Sequence, residues 1–548
     1  MKASPRSSLR PLLSLGSALL FAALIRAPIA EIPLERDEGE YAYIAQRWIA
    51  GEVPYRDAFD QKPPGIFLVY AVILRTLGDS PTAIHWGAQI WSFGTVAAVW
   101  ALARAAAGNA AGAGAGILFS VLSASPSVLG NAANTETFMV LPATLSLLAA
   151  FRARRSGSRG WALTSGALAG AAMLFKQVAA TNALLSAGIV AVSVRGASAR
   201  AEEASSLAPF RLRVIWRQGG GFLLGGALAW APFLAAFASA GALRELWDCV
   251  AGYNLDYANS VPWRYYARNF IRTFGVILAL AWPAYLLAAA GLAAWLVRPE
   301  RRRFGILLGA WLAASAAGTT IGGYFRPHYY IQTLPAIAVL AALGARALAD
   351  LPRRERRKTA FLAALLASVG YPLAASAGYW LPGDPAAKSR EIYPGNPFDI
   401  SEEVGRFLAG RTHPGDRIFI LGSEPQILFH ANRKSATRYI FVYPLMTPTE
   451  KARARQLELI EEVHRAAPRI IVTVFIPTSF LARPETTTDV FDATRQRLAG
   501  YRLVALALRG APPSGGLLTG AAAREAWRRA PAWYDRPSAV ALAIWERR

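Results

Sequence analysis

Runs approaching twenty apolar residues, the length needed to cross ~30 Å of hydrocarbon, recur through the first 380 residues of this chain. They commit it to a polytopic α-helical membrane protein with one large polar segment at its end. Composition agrees. Of the 548 residues 54% are hydrophobic and 17% charged, against about a quarter charged in an ordinary soluble domain. The first run, Pro11 to Ala30, follows the basic stretch MKASPRSSLR. No small-residue cleavage site leading into soluble sequence comes after it, so it reads as an uncleaved first helix. Further spans are expected at 84–106, 109–129, 137–152, 160–178, 180–195, 219–240, 273–297, 304–321, 329–349 and 358–380, about 11 transmembrane helices in all.

The formal net charge of +24 is distributed in a way that speaks against nucleic acid as a partner. Arginine gathers in RARRSGSR (152–159), Arg195 to Arg217, RPERRR (298–303) and RRERRK (353–358). These loops alternate with loops poor in Lys and Arg, the positive-inside pattern that sets topology. An odd span count with a cytoplasmic N-terminus puts the C-terminus outside. The reading is an integral protein of the cell (inner) membrane. Cys249 is the one cysteine, so no intramolecular disulfide can form, which says little about compartment.

The chain divides into a membrane module, 1–380, containing an outer loop at 31–82, and a C-terminal soluble α/β domain, 381–548. In that domain RIFILG (417–422), RIIVTVF (469–475) and AVALAIWER (539–547) read as strands, and 402–410 and 449–467 as helices. It contains no phosphate-binding glycine loop and no metal-spaced Cys/His set. LGSEPQ (421–426) reads as a strand-to-helix turn.

The outer loop is where acid collects. Residues 31–80 hold nine acids and five bases. Glu31, Glu35 and Glu52 read as solvated loop residues. Asp37 and Glu38 stand at the N-terminus of a short amphipathic helix continuing over Ala42–Ile49, where the helix dipole favours negative charge; acidic first-turn residues behind an N-cap are the plain alternative. Pro64–Leu77 is a second short apolar helix. Lys62, stiffened by Pro63 and Pro64, suits a phosphate headgroup; its alternative is a snorkelling lysine. Arg56 is a second candidate cation. Glu136, in NTET, opens a span, where an acid is costly and a functional candidate by default; its alternative is capping by Asn134 or Thr135.

DEGEYAYIAQRW…GEVPYRDAFDQKPPG resembles the first extracytoplasmic loop of glycosyltransferase family 39, the protein O-mannosyltransferases and their bacterial relatives, including the lipid A aminoarabinose transferase. Asp37-Glu38 matches the family's Asp-Glu pair, Tyr41-Ala42 and Ile44 the residues after it, and Lys62-Pro63 its Lys-Pro. NTETF matches a second acidic position. GYFRPHYYIQTLPAIAVLAAL (323–342) resembles the late aromatic segment. One departure is that some relatives carry a basic residue three positions after the Asp, where this chain has Glu40. Another is that the C-terminal domain shows no assignable motif, so the acceptor is not named.

The resemblance implies a GT-C membrane glycosyltransferase with a polyprenyl-phosphate sugar donor. Its acceptor would be a lipid, glycan or protein hydroxyl on the extracytoplasmic face, and transfer would invert the anomeric centre. Asp37 is then the general base, with Glu38 and Glu136 as further catalytic carboxylates. Lys62 stabilises the leaving phosphate, with Arg56, Tyr41, Arg326, His328 and Tyr329 completing the substrate-binding set. The alternative for Tyr329-Tyr330 is an interfacial aromatic belt. Lys176-Gln177 either lines the donor pocket or forms a polar turn, and the turn is the favoured reading. A divalent metal ion held by Glu38 or Glu136 is left open. Two rivals are a flippase for lipid-linked sugars and a non-catalytic scaffold. The near absence of charge within the spans disfavours the flippase.

Overall fold

The computed structural model describes residues 5–199, 208–349, 357–509, 516–534 and 539–548. Its membrane half contains α1 (Pro5–Arg26), α2 (Arg36–Ile49), α3 (Gly65–Thr76), α4 (Pro81–Ala107), α5 (Asn109–Ala124), α6 (Thr135–Ser156), α7 (Arg159–Met173), α8 (Ala180–Ala199) and α9 (Ala208–Ser239). It continues through the short α10 (Leu243–Trp247) and α11 (Asn254–Ala258), then α12 (Tyr266–Val297), α13 (Pro299–Thr320), α14 (Leu334–Ala349), α15 (Arg357–Ala375) and α16 (Ala377–Trp380). Among the described residues, six helices are long and apolar enough to cross a membrane: Leu9–Ile29, Pro81–Ala107, Thr135–Ser156, Arg217–Ser239, Trp263–Val297 and Pro327–Ala349. Shorter apolar helices lie at Gly65–Thr76, Asn109–Ala124, Gln177–Ala191 and Thr359–Ala375. Helices also form at the expected spans 160–178 and 304–321, as α7 and α13. Among the described residues, six helices therefore meet both criteria, against about eleven expected. Of the arginine-rich loops, 200–207 and 350–356 lie outside the described residues.

Small residues let these helices approach closely. A side chain at Gly166 or Gly225 would collide with the facing backbone where α7 crosses α9, and Gly291 and Gly344 do the same between α12 and α14. Helix α12 leaves helical geometry at Ala281, two residues before Pro283, where proline removes a backbone hydrogen bond.

The C-terminal part holds α17 (Pro385–Ile392), α18 (Ser401–Arg411), α19 (Pro425–Ala431), α20 (Glu450–Ala466), α21 (Asp489–Arg497) and α22 (Gly520–Arg529). They flank one mixed sheet of β1 (Arg417–Leu421), β2 (Lys434–Ser435), β3 (Ile470–Val474), β4 (Tyr501–Leu508), β5 (Leu517–Thr519) and β6 (Val540–Arg547). The order is β2-β1-β3-β6-β4-β5. Strand β1 runs parallel to β2 and β3, with Ile418 opposite Ile470, and the remaining pairings are antiparallel. Strand β3 is buried along its whole length, as a strand covered on both faces must be.

One apolar core runs from Leu34, Tyr41 and Ile44 of the outer loop through Ile66 and Phe67 of α3 to Ile418, Phe419, Val472 and Ile544 of the sheet. The bundle has a separate core around α4, α5, α12 and α14. The outer loop therefore packs as part of the sheet-bearing half.

Candidate active site

Helix α2 starts one turn earlier than its hydrophobic pattern indicates, because Glu35 and Glu38 close a capping box. Such a box satisfies two of the free N–H groups at a helix start. Glu35 is consequently buried, in contrast to its reading as a solvated loop residue. Glu38 is fully buried and committed. Its Oε2 accepts the Glu35 N–H at 3.1 Å. Its Oε1 accepts the Ala133 N–H at 2.7 Å and lies 2.9 Å from His85 Nε2. Between them Asp37 turns its carboxylate into a cavity of about 430 Å³.

Lys62 reaches the same cavity from the loop before α3. Its backbone N–H donates to Asp60 Oδ1 at 2.7 Å, and its carbonyl accepts from the Tyr55 hydroxyl at 2.8 Å. Tyr55 makes that contact from a left-handed backbone, φ 70°. The ammonium group lies 5.2 Å from the centre of the Tyr41 ring. Tyr41 is fully buried against Phe67 and Tyr70, so it supports Lys62 from behind and does not line the cavity.

Glu136 enters α6 fully buried and forms an ion pair with Lys176. Its other oxygen accepts from the Thr135 hydroxyl at 2.9 Å. Lys176 also lies 3.9 Å above the Tyr329 ring. The pair Lys176-Gln177, read as a polar turn, is in fact part of the cavity wall. Arg326, His328 and Tyr329 join them after a turn in which Gly322, Gly323 and Phe325 all take positive φ. The two glycines bear this conformation without strain; Phe325 does not, and such outliers cluster at functional sites.

The C-terminal part supplies the remaining wall, through Tyr393, Asn396, Phe398, Tyr443, Thr478 and Arg483. This follows from the sheet. The chain moves from β1 to β2 on one side and later to β3 on the other, so the carboxyl ends of β1 and β3 form a switch-point crevice, the usual ligand position in such sheets. There Ser423 and Ser479 are joined by a 2.7 Å hydrogen bond from the Ser423 N–H to the Ser479 hydroxyl. The loops leaving both strands face α2. Arg36, next to Asp37, donates to the Ser423 carbonyl and to Glu424 Oε1, the latter at 3.0 Å. Glu424, in the LGSEPQ turn, is fully buried.

Asp37, Lys62, Arg326, His328 and Tyr329 thus share one cavity, and Lys176 and Arg36 join them. Glu38 and Glu136 are held behind the wall. Arg56 is elsewhere: it pairs with Asp57 at 3.0 Å and lines a separate cleft of about 520 Å³ with Lys434 and Arg438. Glu52 pairs with Lys434 at 2.7 Å instead of standing free.

Burial pushes the Asp37 carboxyl up, but Lys62, then His328, Lys176 and Arg36, outweigh it and hold the group below the usual carboxylate range. Burial would likewise cost Lys62 its proton; Asp37, Glu40 and Asp60 reverse this and keep it charged. Glu40, buried beside Asp60, is pushed well above its ordinary value by burial first and by the Asp60 charge second. The donors do not fit a divalent metal ion. Glu38 and Glu136 spend their oxygens on the protein partners above, and no three His, Cys, Asp or Glu side chains gather as a metal set among the described residues.

Residues 61–201 match the family model for dolichyl-phosphate-mannose-protein mannosyltransferase. The sequence matches no curated protein. The fold is similar to that of the oligosaccharyltransferase AglB from Archaeoglobus fulgidus, solved in complex with an inhibitory peptide and a dolichol-phosphate. The TM-score is 0.52 at 12% identity, over 98% of this chain and 76% of that one. It is also similar to ArnT from Cupriavidus metallidurans in the apo state, with a TM-score of 0.51 at 13% identity, over 99% and 98% of the two chains. Residues 61–201 are thus similar to the dolichyl-phosphate-mannose-protein mannosyltransferase family, on a chain whose fold is similar to those of AglB and ArnT.

Proposed function

We propose that this integral membrane protein transfers a sugar from a polyprenyl-phosphate donor to a hydroxyl of a lipid, glycan or protein acceptor on the extracytoplasmic face. The observation that carries this reading is the meeting of Asp37 with Lys62, Lys176, Arg326 and His328 in one cavity. A base for the acceptor and cations for a phosphate stand in the same space. The dolichol-phosphate bound by AglB supports a lipid-phosphate donor.

In the step itself the acceptor oxygen attacks the anomeric carbon from the face opposite the phosphate. Its proton passes to Asp37 Oδ as the new glycosidic bond forms. The bond between the anomeric carbon and the phosphate oxygen breaks, and its electron pair leaves on the polyprenyl phosphate. The configuration inverts. Lys62 meets the charge that grows on the leaving phosphate, an electrostatic contribution available without reorganisation. Lys176 is fixed by Glu136 and adds to the field. The cavity aromatics Tyr253, Tyr257, Tyr329 and Tyr443 give the sugar flat faces.

Mass spectrometry of lipids and glycans from cells with and without the protein identifies the sugar and acceptor. Transfer is then measured for Asp37→Asn in liposomes. Turnover is expected to fall ~10²–10⁴-fold while donor binding persists. Near-normal turnover would remove Asp37 as the base.

A further inference from the structure

The segment 240–265 joins two helices long and apolar enough to cross a membrane, Arg217–Ser239 and Trp263–Val297. Its inner stripe is Leu246, Cys249, Val250 and Tyr253, all buried. From this stripe it reaches the cavity. Tyr253, Asn254 and Tyr257 line it. Asn254 donates to the carbonyl of Gln61, the residue before Lys62, at 2.7 Å. Tyr257 stacks on Tyr324 at 4.4 Å. A π-helical turn spans Asp248–Tyr253, a device found mostly at functional sites.

On the other side of the segment Asp256 pairs with Lys451 at 3.0 Å, but among the described residues the large apolar side chains there stand exposed. Trp247 is 71% exposed, Leu255 67% and Trp263 85%. They recur every eight residues and are accompanied by the exposed Arg244, which pairs with Asp248 at 3.7 Å, and Arg264, which lies 5.0 Å over the Tyr265 ring. A soluble surface would not present two bare tryptophans in so short a stretch. Tryptophan beside arginine is the composition of the membrane–water interface, where the ring sits at headgroup level and the cation meets lipid phosphate.

We propose that Trp247, Leu255 and Trp263 lie in the lipid headgroup layer, making this segment a strap that holds the bilayer surface against the donor side of the Lys62 cavity. The inference rests on the donor being lipid-borne, as proposed above. The strap then does for the polyprenyl chain what Lys62 does for the phosphate. It brings the mouth of the cavity to the depth at which a phosphate headgroup travels.

The test uses the full-length protein in phosphatidylethanolamine–phosphatidylglycerol vesicles, with wild type, Trp247→Ser/Trp263→Ser and Lys62→Ala. In the first arm, tryptophan emission is quenched by lipids spin-labelled near the headgroup and, separately, by aqueous iodide. The difference between wild type and the double variant is expected to be sensitive to the lipid quencher and shielded from iodide. Equal iodide quenching in vesicles and detergent would overturn the membrane contact. In the second arm the probes are undecaprenyl phosphate in vesicles and geranyl phosphate, which is short and water-soluble. The double variant is expected to bind undecaprenyl phosphate roughly tenfold more weakly, since interfacial binding follows buried apolar area, and geranyl phosphate about as well as wild type. Equal weakening of both would make the strap part of the phosphate site and overturn its role at the bilayer. Lys62→Ala is expected to weaken both probes. If it weakens neither, the phosphate site itself has failed, and the quenching arm still decides where the strap lies.

Discussion

Lys176 and Glu136, forty residues apart, form a buried ion pair at the cavity wall, and Lys176 is held at the same time over the ring of Tyr329. Removing one partner of such a pair leaves an uncompensated charge and costs roughly 3–5 kcal/mol, whereas replacing both costs much less. Lys176→Met and Glu136→Gln are each expected to lower the Tm of the purified protein, and the double variant to recover part of the loss. Strictly additive losses would show that the two do not act as a pair.

Asp37→Asn is expected to abolish most turnover while leaving the fold and donor affinity intact. Its neighbours Arg36 and Lys62 in the wall, and Glu38 behind it, do not need the Asp37 carboxylate as a hydrogen-bond partner. An unchanged Tm with turnover reduced ~10²-fold or more separates a lost base from a lost structure.

The pH profile reports the same group from another side. Asp37 acts when ionised, and its carboxyl is held below the usual range. Wild-type transfer therefore persists through mildly acidic pH and is lost only as pH falls through that lowered value. Lys62 is the foremost group opposing the effect of burial. In Lys62→Met the acid limb of log kcat/KM is expected to move to higher pH. A limb that stays in place or moves lower would detach Lys62 from Asp37.

Gly39 sets how closely α2 lies on α19. A Cβ there would stand 2.6 Å from Gln426 Cα. Gly39→Ala is expected to force the two apart, at a cost of roughly 1–3 kcal/mol for overpacking, and to slow transfer by moving Arg36 and Asp37 with the helix. Glu424→Gln keeps that spacing and should affect transfer less. A silent Gly39→Ala would mean that α2 can shift without consequence.

Topology is open to direct assay. The alternation of arginine-rich loops leads us to expect the C-terminus outside the cell. A reporter active only in the extracytoplasmic space, fused after Arg548, is expected to be active. Activity confined to a cytoplasmic reporter would reverse the side on which the cavity opens.

Much of this arrangement could be read from the chain before any coordinates. Apolar run length marks the bundle, β-branched runs locate β1, β3 and β6 within a residue or so, and the acids around Asp37 point to the outer loop. What could not be read was pairing over distance. Lys176 sits between two apolar runs and looks like a turn until Glu136 is brought beside it. Glu35 looks solvated because nothing local shows that the distant Tyr393 comes to lie near it. Arg56 and Lys62 have similar local settings, six residues apart, yet a left-handed Tyr55 and the turn at 55–58 send them to different clefts. Span count suffers from the same blindness. Hydropathy does not distinguish a short apolar helix wrapped by protein from one facing lipid.

The core that the outer loop shares with the sheet has a consequence for how the protein is made. Residues 31–80 emerge early in synthesis. The core they join also holds Ile544 of β6, Val540–Arg547, which emerges far later. The loop must wait, unpacked, while the rest of the bundle is threaded into the membrane. A chain arrested before the sheet has emerged would be inserted and anchored, with its outer loop still lacking the core into which it packs.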